Sequence, residues 1–428
     1  MIDENNDIMI KPRVVIVGGG PAGLIAAGSA ALSGVDAMLL EKGPRVARKL
    51  LITGKGRCNL TNTAPIKDFI DAFGNKGKFL HGVFSRFFRD DLLEILNSQG
   101  VDCKEERGGR IFPASDKAQD IAEAIERWMM QSGAKTKIGC RALSILVESG
   151  QAAGLKVTGG EIRAGAVIIA TGGLSYPKTG SNGDGYTMAR EIGHTISTLR
   201  PALAPLVTRE KWISELMGLS LKNVNARLIS IDSTGKERTV CEEFGEMLFT
   251  HFGVSGPIVL TLSREVPDTM QNGMAVISID LKPALTEEQL HLRLIRDFKQ
   301  TIHFRNYTKS LLPNLLAQIF PKLSDIDPDK PLHRVTAEER KKLVTLLKDF
   351  RLTVKAMGPI EEAIVTTGGV AIGEVDSKTM MSKIVPGVFF AGEVLDLDAK
   401  TGGYNLQAAF STGYIAGQCA AEYALNSI

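Results

Sequence analysis

Cysteine is scarce in this 428-residue sequence, and the five cysteines form no CxxC pair. The odd number argues against a disulfide framework, and the missing CxxC spacing argues against a zinc site, so we predict no metal. Long apolar runs are also missing, because glycines, Pro21 and Asp36 interrupt the longest candidate, residues 14–40. This interruption excludes a membrane span and favours a strand, a helix and a second strand.

The sequence also has little excess charge. Its 51 Lys and Arg residues against 48 Asp and Glu residues give a formal net charge of +3. We therefore expect no nucleic-acid partner. Residues 1–13 lack the apolar stretch of a secretory signal, which predicts a cytoplasmic protein that does not bind a membrane. The oligomeric state is left open, and the length suits two or three domains.

Glycine, by contrast, is abundant, and the most informative cluster is the turn at residues 18–23. A predicted strand at 13–17 precedes this G-x-G-x-x-G pattern, a helix follows from residue 21, and a second strand covers 35–40. In such a βαβ unit the free N–H groups of the helix start can hold a pyrophosphate. The alternative is a purely structural turn. The residues predicted to hold the phosphates are Gly18, Gly20, Pro21, Ala22 and Gly23.

Polar residues follow the second strand. Glu41 lies 18 residues after Gly23, where a carboxylate can accept hydrogen bonds from ribose hydroxyls and disfavours a 2′-phosphate. Lys42, Arg48 and Lys49 begin a basic stretch that can neutralise a pyrophosphate, although charge runs are usually solvated loops.

The end of this basic stretch, flanked by glycines, is predicted to pass close to a flavin ring or a substrate. Cys58 lacks a nearby partner cysteine, so packing or flavin contact is a better interpretation than a thiol relay. The residues assigned to this contact are Gly54, Lys55, Arg57, Cys58 and Asn59.

Residues 137–147 alternate in the way that a single strand does, and they are predicted to belong to the same domain as the βαβ unit.

Further glycine turns follow two predicted strands. Thr171 and Gly172 follow a buried strand at 166–170, and the spacing of the next glycines, at 180–185, is not that of a second dinucleotide site. Near the C-terminus, a helix start can stabilise an anionic reduced flavin, the alternative being an acidic loop before a buried helix. The residues assigned there are Gly392, Glu393, Gly403, Tyr404, Asn405 and Leu406.

The middle of the chain has a different pattern. Alternating segments at 225–231 and 275–281 predict antiparallel strands, and capping-box patterns at Thr286 and Thr336 predict helix starts. Histidine side chains can transfer protons near neutral pH, which makes His251 a candidate proton donor beside a flavin, although a lone histidine is more often structural. The predicted catalytic residues are His251, Arg57 and Lys55.

Together these motifs, which span nearly the whole chain, resemble the bacterial aminoacetone-oxidase-like or BaiN-like NAD(P)/FAD-dependent oxidoreductases. The most family-specific segments are 53–62 and 245–257. The resemblance implies that FAD contacts include Ala22, Glu41, Lys49, the backbone of Ala142 at the adenine, Glu393, Asn405 and Leu406.

The resemblance implies an α/β fold in which a discontinuous Rossmann-like FAD-binding domain (1–195 and 354–428) carries an inserted antiparallel β domain (196–282 and 337–353) and a small helical domain (283–336). The predicted function is hydride transfer between flavin N5 and a small organic substrate, with NAD(P)H as a candidate reductant. A flavin-binding redox sensor or scaffold without turnover, and a protein that binds NAD alone, are the alternatives.

Overall fold

A computed structural model describes residues 13–427 and separates the chain into two compact units. The first unit runs to Pro201 and resumes at Ile364, and the second comprises residues 202–363. The prediction about a secretory signal falls largely on residues 1–12, outside the described part of the chain.

The strands and helices are numbered in chain order. The strands are β1 (Arg13–Val17), β2 (Asp36–Glu41), β3 (Thr61–Asn62), β4 (Cys103–Glu106), β5 (Arg110–Pro113), β6 (Lys135–Ile138), β7 (Ala142–Glu148), β8 (Gln151–Val157), β9 (Gly160–Arg163), β10 (Ala166–Ile169), β11 (Arg200–Ala202), β12 (Leu206–Thr208), β13 (Ser220–Ile231), β14 (Glu237–Phe249), β15 (Gly253–Ser255), β16 (Met274–Asp280), β17 (Phe350–Met357), β18 (Val365–Thr367) and β19 (Val388–Phe390). The helices are α1 (Pro21–Leu32), α2 (Ile66–Ala72), α3 (His81–Phe84), α4 (Arg89–Ser98), α5 (Ala118–Gln131), α6 (Asp184–Glu191), α7 (Pro257–Leu262), α8 (Val266–Asn272), α9 (Glu287–Asp297), α10 (Phe304–Leu311), α11 (Asn314–Ser324), α12 (Ala337–Lys348) and α13 (Tyr404–Asn426).

The first unit is built on a parallel five-stranded sheet in the order β19-β10-β1-β2-β6. The apolar residues of β1 and β10 are buried, as expected for strands covered on both faces. Glycines in α13 let it lie close to α1, since a Cβ at Gly413 or Gly417 would come 2.3 Å from the carbonyl oxygen of Ala22 or Ala26. The predicted β1-α1-β2 unit is confirmed, with the Rossmann-like fold that it implied.

One predicted element is wrong. The alternating residues 137–147 suggested a single strand, but they contribute to two sheets, because β6 ends at Ile138 and β7 begins at Ala142. Gly139 has a φ of +70° and turns the chain between them. A positive φ cannot be accommodated in a regular strand, and glycine adopts it at low cost.

The second unit contains a closed six-stranded barrel in the order β12-β15-β14-β13-β16-β17. Helices α9 to α12 do not form a separate domain, because their apolar side chains join the same core as the barrel strands. The predicted boundary at residue 354 lies inside the continuous strand β17, and the chain resumes the first unit only at Ile364.

Both predicted capping boxes are confirmed in this second unit. The Thr286 hydroxyl accepts a hydrogen bond from the Gln289 N–H, and the Thr336 hydroxyl accepts one from the Glu339 N–H, each at 3.2 Å. Among the described residues, no helix combines the length and the hydropathy that crossing a bilayer requires.

Candidate active site

The glycine turn joins β1 to α1 and packs tightly on its protein side. Gly18 has a φ of +106°, and a Cβ there would lie 2.5 Å from the Ala170 carbonyl oxygen. A Cβ at Gly23 would lie 1.9 Å from the Gly18 carbonyl oxygen. These two positions therefore exclude side chains, because strand and helix approach each other at backbone distance.

Gly20 lies on the open side of the same turn. A Cβ at this position would meet no atom of the described residues within 4 Å. No side chain caps the start of α1, and its first turn carries no acidic residue, so nothing competes for the positive end of the helix. Open space beside an uncapped helix start fits a pyrophosphate, and the residues present at this turn can hold the phosphates of FAD.

Glu41 ends β2 and faces the glycine turn. Its carboxylate accepts hydrogen bonds from the Gly19 N–H at 2.9 Å and from the Gly43 N–H at 2.6 Å. Each carboxylate oxygen has a second lone pair, which leaves capacity for ribose hydroxyls. The Cys140 N–H donates to the Glu41 carbonyl oxygen at 3.1 Å, so the chain leading to Ala142 passes beside this position.

Lys49 and Glu393 form an ion pair between parts of the chain that are 344 residues apart. The Lys49 ammonium lies 2.6 Å from Glu393 Oε2 and also donates to the Ser175 hydroxyl at 2.6 Å. Both charged side chains are only 19% exposed. Ser175 donates to Glu393 Oε1 at 3.0 Å, and the Thr366 N–H donates to the same atom at 2.9 Å. The pair thus connects the basic stretch to the C-terminal segment that contains Glu393.

Two other cations of the basic stretch bind a second loop. Lys42 donates to Asn182 Oδ1 at 2.5 Å and pairs with Asp184 at 2.7 Å. Arg48 donates to the Lys178 carbonyl oxygen at 2.5 Å. The basic stretch, whose alternative interpretation was a solvated loop, is therefore connected to the segment 178–184, and these cations lie in a structured region.

Arg57 is engaged by carboxylates of the protein. Its guanidinium binds Glu106 and Asp116 and lies over the Phe112 ring, 4.3 Å from the centroid. The hydrogen bonds to Glu106 and then to Asp116 raise the pKa of Arg57. Lys55, in contrast, is exposed, adopts a φ of +59° and has no hydrogen-bond or ion-pair partner among the described residues.

The rest of this glycine-flanked loop is closely packed. Cys58 is fully buried, and burial raises the pKa of its thiol to about 12. Such a thiol is protonated at neutral pH, which disfavours the thiol relay. With its amide oriented for hydrogen bonding, Asn59 donates to the Thr61 carbonyl oxygen and accepts from the Gly403 N–H, both at 3.1 Å. Gly54 has a φ of +56°, and a Cβ there would lie 3.1 Å from the Asn59 nitrogen.

The C-terminal motif, residues 392–406, includes the start of α13 and lies next to the glycine turn. A Cβ at Gly392 would lie 2.8 Å from the Ala22 Cβ. The Asn405 side chain accepts from the Ala399 N–H at 2.8 Å and donates to its carbonyl oxygen at 3.0 Å, closing the preceding loop. Tyr404 is buried edge-on against Phe69. Leu406 is partly buried in the first turn of this helix.

Thr171 and Gly172 follow β10 next to the glycine turn. Thr171 Oγ1 is buried without a hydrogen-bond partner, and a Cβ at Gly185 would lie 2.0 Å from it. Most of the predicted cofactor residues thus lie in one region of the first unit. His251 lies in the second unit, exposed between β14 and β15, so its catalytic role stays a prediction.

A buried Ser-His-Glu chain lies in the first unit without any local motif that would have revealed it. His194 Nδ1 lies 3.1 Å from Glu374 Oε2, and Nε2 lies 2.7 Å from the Ser382 hydroxyl. Ser382 Oγ also accepts from the N–H groups of Ile384 and Val385 at 3.0 and 2.9 Å. Because this serine is buried and its lone pairs are occupied, the arrangement braces a loop and leaves no free nucleophile.

This chain is similar to one protein family and to several known proteins over nearly its whole length. A family model described as the HI0933-like protein Rossmann domain matches residues 12–419. The 3-dehydro-bile acid delta(4,6)-reductase of Clostridium scindens is 32% identical, over 96% of this chain and 99% of that protein. The ribosomal RNA dihydrouridine synthases of Escherichia coli and Haemophilus influenzae are each 29% identical, over 94% of this chain and 96% of those proteins. With relatives named for ribosomal RNA, the sequence-based exclusion of nucleic acid is not supported.

Two solved structures share the fold. The 3-ketosteroid delta1-dehydrogenase of Sterolibacterium denitrificans, in complex with 1,4-androstadiene-3,17-dione, has a TM-score of 0.53 at 11% identity, over 96% of this chain and 99% of that chain. The open conformation of a flavocytochrome c3 fumarate reductase has a TM-score of 0.50 at 18% identity, over 97% of this chain and 78% of that chain. From the family match over nearly its whole length, this chain belongs to the HI0933-like family of FAD-dependent oxidoreductases.

Proposed function

We propose that this protein is an FAD-dependent reductase that saturates a carbon–carbon double bond conjugated to a carbonyl group. The observation that carries the proposal is the end-to-end similarity to two kinds of enzyme whose names describe this change. A delta(4,6) bond system beside a 3-oxo group is a conjugated dienone. In uridine, the ring double bond that is lost in dihydrouridine is conjugated to a carbonyl.

Reduced FAD held at the glycine turn would supply a hydride equivalent from N5. Saturation of the double bond would require a hydride at the carbon distal to the carbonyl and a proton at the carbon next to it, which together are two electrons and two protons. The protein's share is to hold the cofactor and to deliver that proton. Gly20 and the start of α1 would hold the phosphates, and Glu41 the ribose.

Three side chains were predicted to act in catalysis, and they differ in what they can supply. Arg57 keeps its proton, since a guanidinium does not titrate in proteins, and its carboxylate partners strengthen this state. We therefore assign Arg57 to positioning the loop. Lys55 and His251 remain the proposed proton donors, because both are exposed and carry exchangeable protons.

NADH or NADPH is the proposed source of electrons, and the acceptor is either a small conjugated ketone or a uridine within RNA. The sequence offers one dinucleotide fingerprint, at residues 18–23, and the proposal assigns it to FAD. A nicotinamide nucleotide would therefore bind without a second fingerprint of this type.

The test is an anaerobic half-reaction on the purified, FAD-loaded protein. The flavin is reduced with dithionite, or with NADH or NADPH in parallel, and each candidate acceptor is then added. The expected result is that the absorbance of oxidised flavin at about 450 nm returns and that the product is two mass units heavier than the acceptor. The acceptors are a 3-oxo-4,6-diene steroid and an unmodified ribosomal RNA transcript.

The matched chemical control for each acceptor is its saturated analogue, which should leave the flavin reduced. Gly20→Ala serves as the matched protein control, because the added methyl group would enter the proposed phosphate space without meeting a protein atom. If the reduced flavin reacts with oxygen but with neither conjugated acceptor, the proposed function is wrong.

A further inference from the structure

One part of the second unit carries an excess of positive charge. Residues 283–348, the helical segment, contain twelve Lys and Arg residues against eight Asp and Glu residues. Their formal net charge is +4, whereas that of the whole chain is +3. The rest of the chain is therefore slightly negative, and an average over the whole sequence hides a basic region.

Some cations of the helical segment form ion pairs with acidic residues of the same segment, and others do not. Asp297 pairs with Arg293 and Arg296, and Glu339 pairs with Lys330. Several other cations are exposed and have no hydrogen-bond or ion-pair partner in the part of the chain that the structure describes. They are Lys299, Lys309, Lys322, Arg334 and Lys341.

Some of these cations line an open groove of about 580 Å³ between α10 and α11. Arg305 and Lys309 stand one helical turn apart on α10, and Lys322 lies on α11. Asp325 and Asp327 also line the groove, and Arg305 pairs with Asp329 at 2.9 Å, so the groove itself is only weakly positive.

A further exposed cation, Arg334, lies on a backbone segment next to this groove. The residues before and within α10 are hydrogen-bonded to residues 328–332: the Phe304 N–H donates to the Lys330 carbonyl oxygen, and the Leu332 N–H donates to that of Ile302, both at 2.9 Å. Arg334 follows directly on this second backbone segment. Lys309, Lys322 and Arg334 are thus distributed over adjoining segments, a spacing that suits a chain of anionic groups better than one small anion.

We propose that the helical segment binds the phosphate backbone of a structured RNA, whose uridine is the acceptor in the proposed function on which this inference rests. A reductase that acts on one base of an RNA must hold the polymer by groups other than the reacting ring, and phosphates are the repeated ones. A bile-acid-like molecule offers no such row of anions. Charge complementarity therefore favours RNA as the occupant of this surface.

The experiment measures binding of an unmodified ribosomal RNA transcript to the full-length, FAD-loaded protein at several salt concentrations. The test variant is Lys309→Gln, Lys322→Gln and Arg334→Gln combined. We expect its affinity to fall at least tenfold, and the slope of log Kd against log salt to fall by about two, since each lost phosphate contact removes about 0.7 from the slope.

The matched control is Lys67→Gln, Lys137→Gln and Lys156→Gln, which removes three exposed lysines of the first unit that have no hydrogen-bond or ion-pair partner among residues 13–427. This variant has the same net charge as the test variant and should bind the transcript within about twofold of wild type. Equal losses in the two variants would mean that only net charge matters, and would overturn the proposal, as would wild-type protein that does not bind the transcript.

The failure of this inference can be told apart from failure of the proposed function. If the protein does not bind RNA but its reduced flavin is reoxidised by the 3-oxo-4,6-diene steroid, the reductase proposal stands and the RNA surface is wrong. If the transcript is bound by the helical segment but neither acceptor reoxidises the flavin, the surface stands and the reductase proposal is wrong.

Discussion

The chain has two basic regions, and they use their cations differently. In the basic stretch at residues 42–57, Lys42, Lys49 and Arg57 are bound by acids from elsewhere in the same unit. In the helical segment, cations such as Lys309 and Lys322 have no partner among the described residues. A paired cation stabilises the fold, whereas an unpaired one is available to a ligand. Composition alone does not separate the two cases.

The largest expected effect lies in the turn beside the first basic region. Gly23→Ala should lower the free energy of unfolding by roughly 3 kcal/mol or more, because its Cβ would clash with the Gly18 carbonyl oxygen. Gly20→Ala should melt like wild type and yet bind FAD more weakly. Thermal unfolding of the cofactor-free proteins and titration with FAD measure the two effects. Equal stability of both variants would contradict the packing described for this turn.

The paired cation Lys49 comes next. Lys49→Met would leave the Glu393 carboxylate mostly buried without its ammonium partner, and should cost about 2–3 kcal/mol in urea unfolding. The control is Arg163→Met, which breaks an ion pair whose side chains are 60% and 61% exposed. We expect no measurable change in that variant, since exposed pairs contribute little. A similar loss in both variants would remove the distinction between buried and exposed pairs.

The buried His194 should make the first unit sensitive to acid. Burial lowers the pKa of His194, and the neighbouring Glu374 only partly opposes this effect. Below about pH 6.5 this histidine binds a proton in the unfolded chain but stays neutral in the native protein. The free energy of unfolding therefore decreases as the pH is lowered, by at most about 1.4 kcal/mol per pH unit.

This pH effect can be isolated with His194→Gln. Urea unfolding from pH 8 to pH 5.5 should show a smaller loss of stability in the variant than in wild type. Burial raises the pKa of Glu374, but the hydrogen bonds from Thr195 and the neighbouring His194 outweigh burial and lower the pKa overall. Glu374 therefore stays ionised in this range. Parallel stability curves would mean that His194 is protonated in the native state.

The smallest effect is expected in the second basic region. The combined variant Lys309→Gln, Lys322→Gln and Arg334→Gln should unfold at the same urea concentration as wild type, because none of the three side chains has a partner to lose among the described residues. A clear loss of stability would show that these cations are structural, and would make the two basic regions alike.

The sequence predicted the local fold around the candidate site well. β1, α1, β2 and Glu41 follow one another within about thirty residues, so their pattern of apolar residues, glycines and one acid determines their geometry. The capping boxes at Thr286 and Thr336 were equally predictable, since each depends on residues three positions apart.

Interactions between distant residues were not predictable in the same way. No local pattern pairs Lys49 with Glu393 through Ser175, or His194 with Ser382, because the partners meet only after the sheet has formed. The strand expected over 137–147 failed because a regular alternation continues across Gly139, where the backbone turns. The exclusion of nucleic acid came from averaging charge over regions that differ.

The order of strands in the first unit also has a consequence for synthesis. β19 completes the parallel sheet beside β10, and α13 packs on α1, so the last forty or so residues close a structure that the first thirty begin. Contacts of this sequence separation form late and slowly. On a translating ribosome, residues 202–363 emerge whole before the first unit can be closed, and a chain cut short before β19 would leave the interior strand β10 as an unpaired edge.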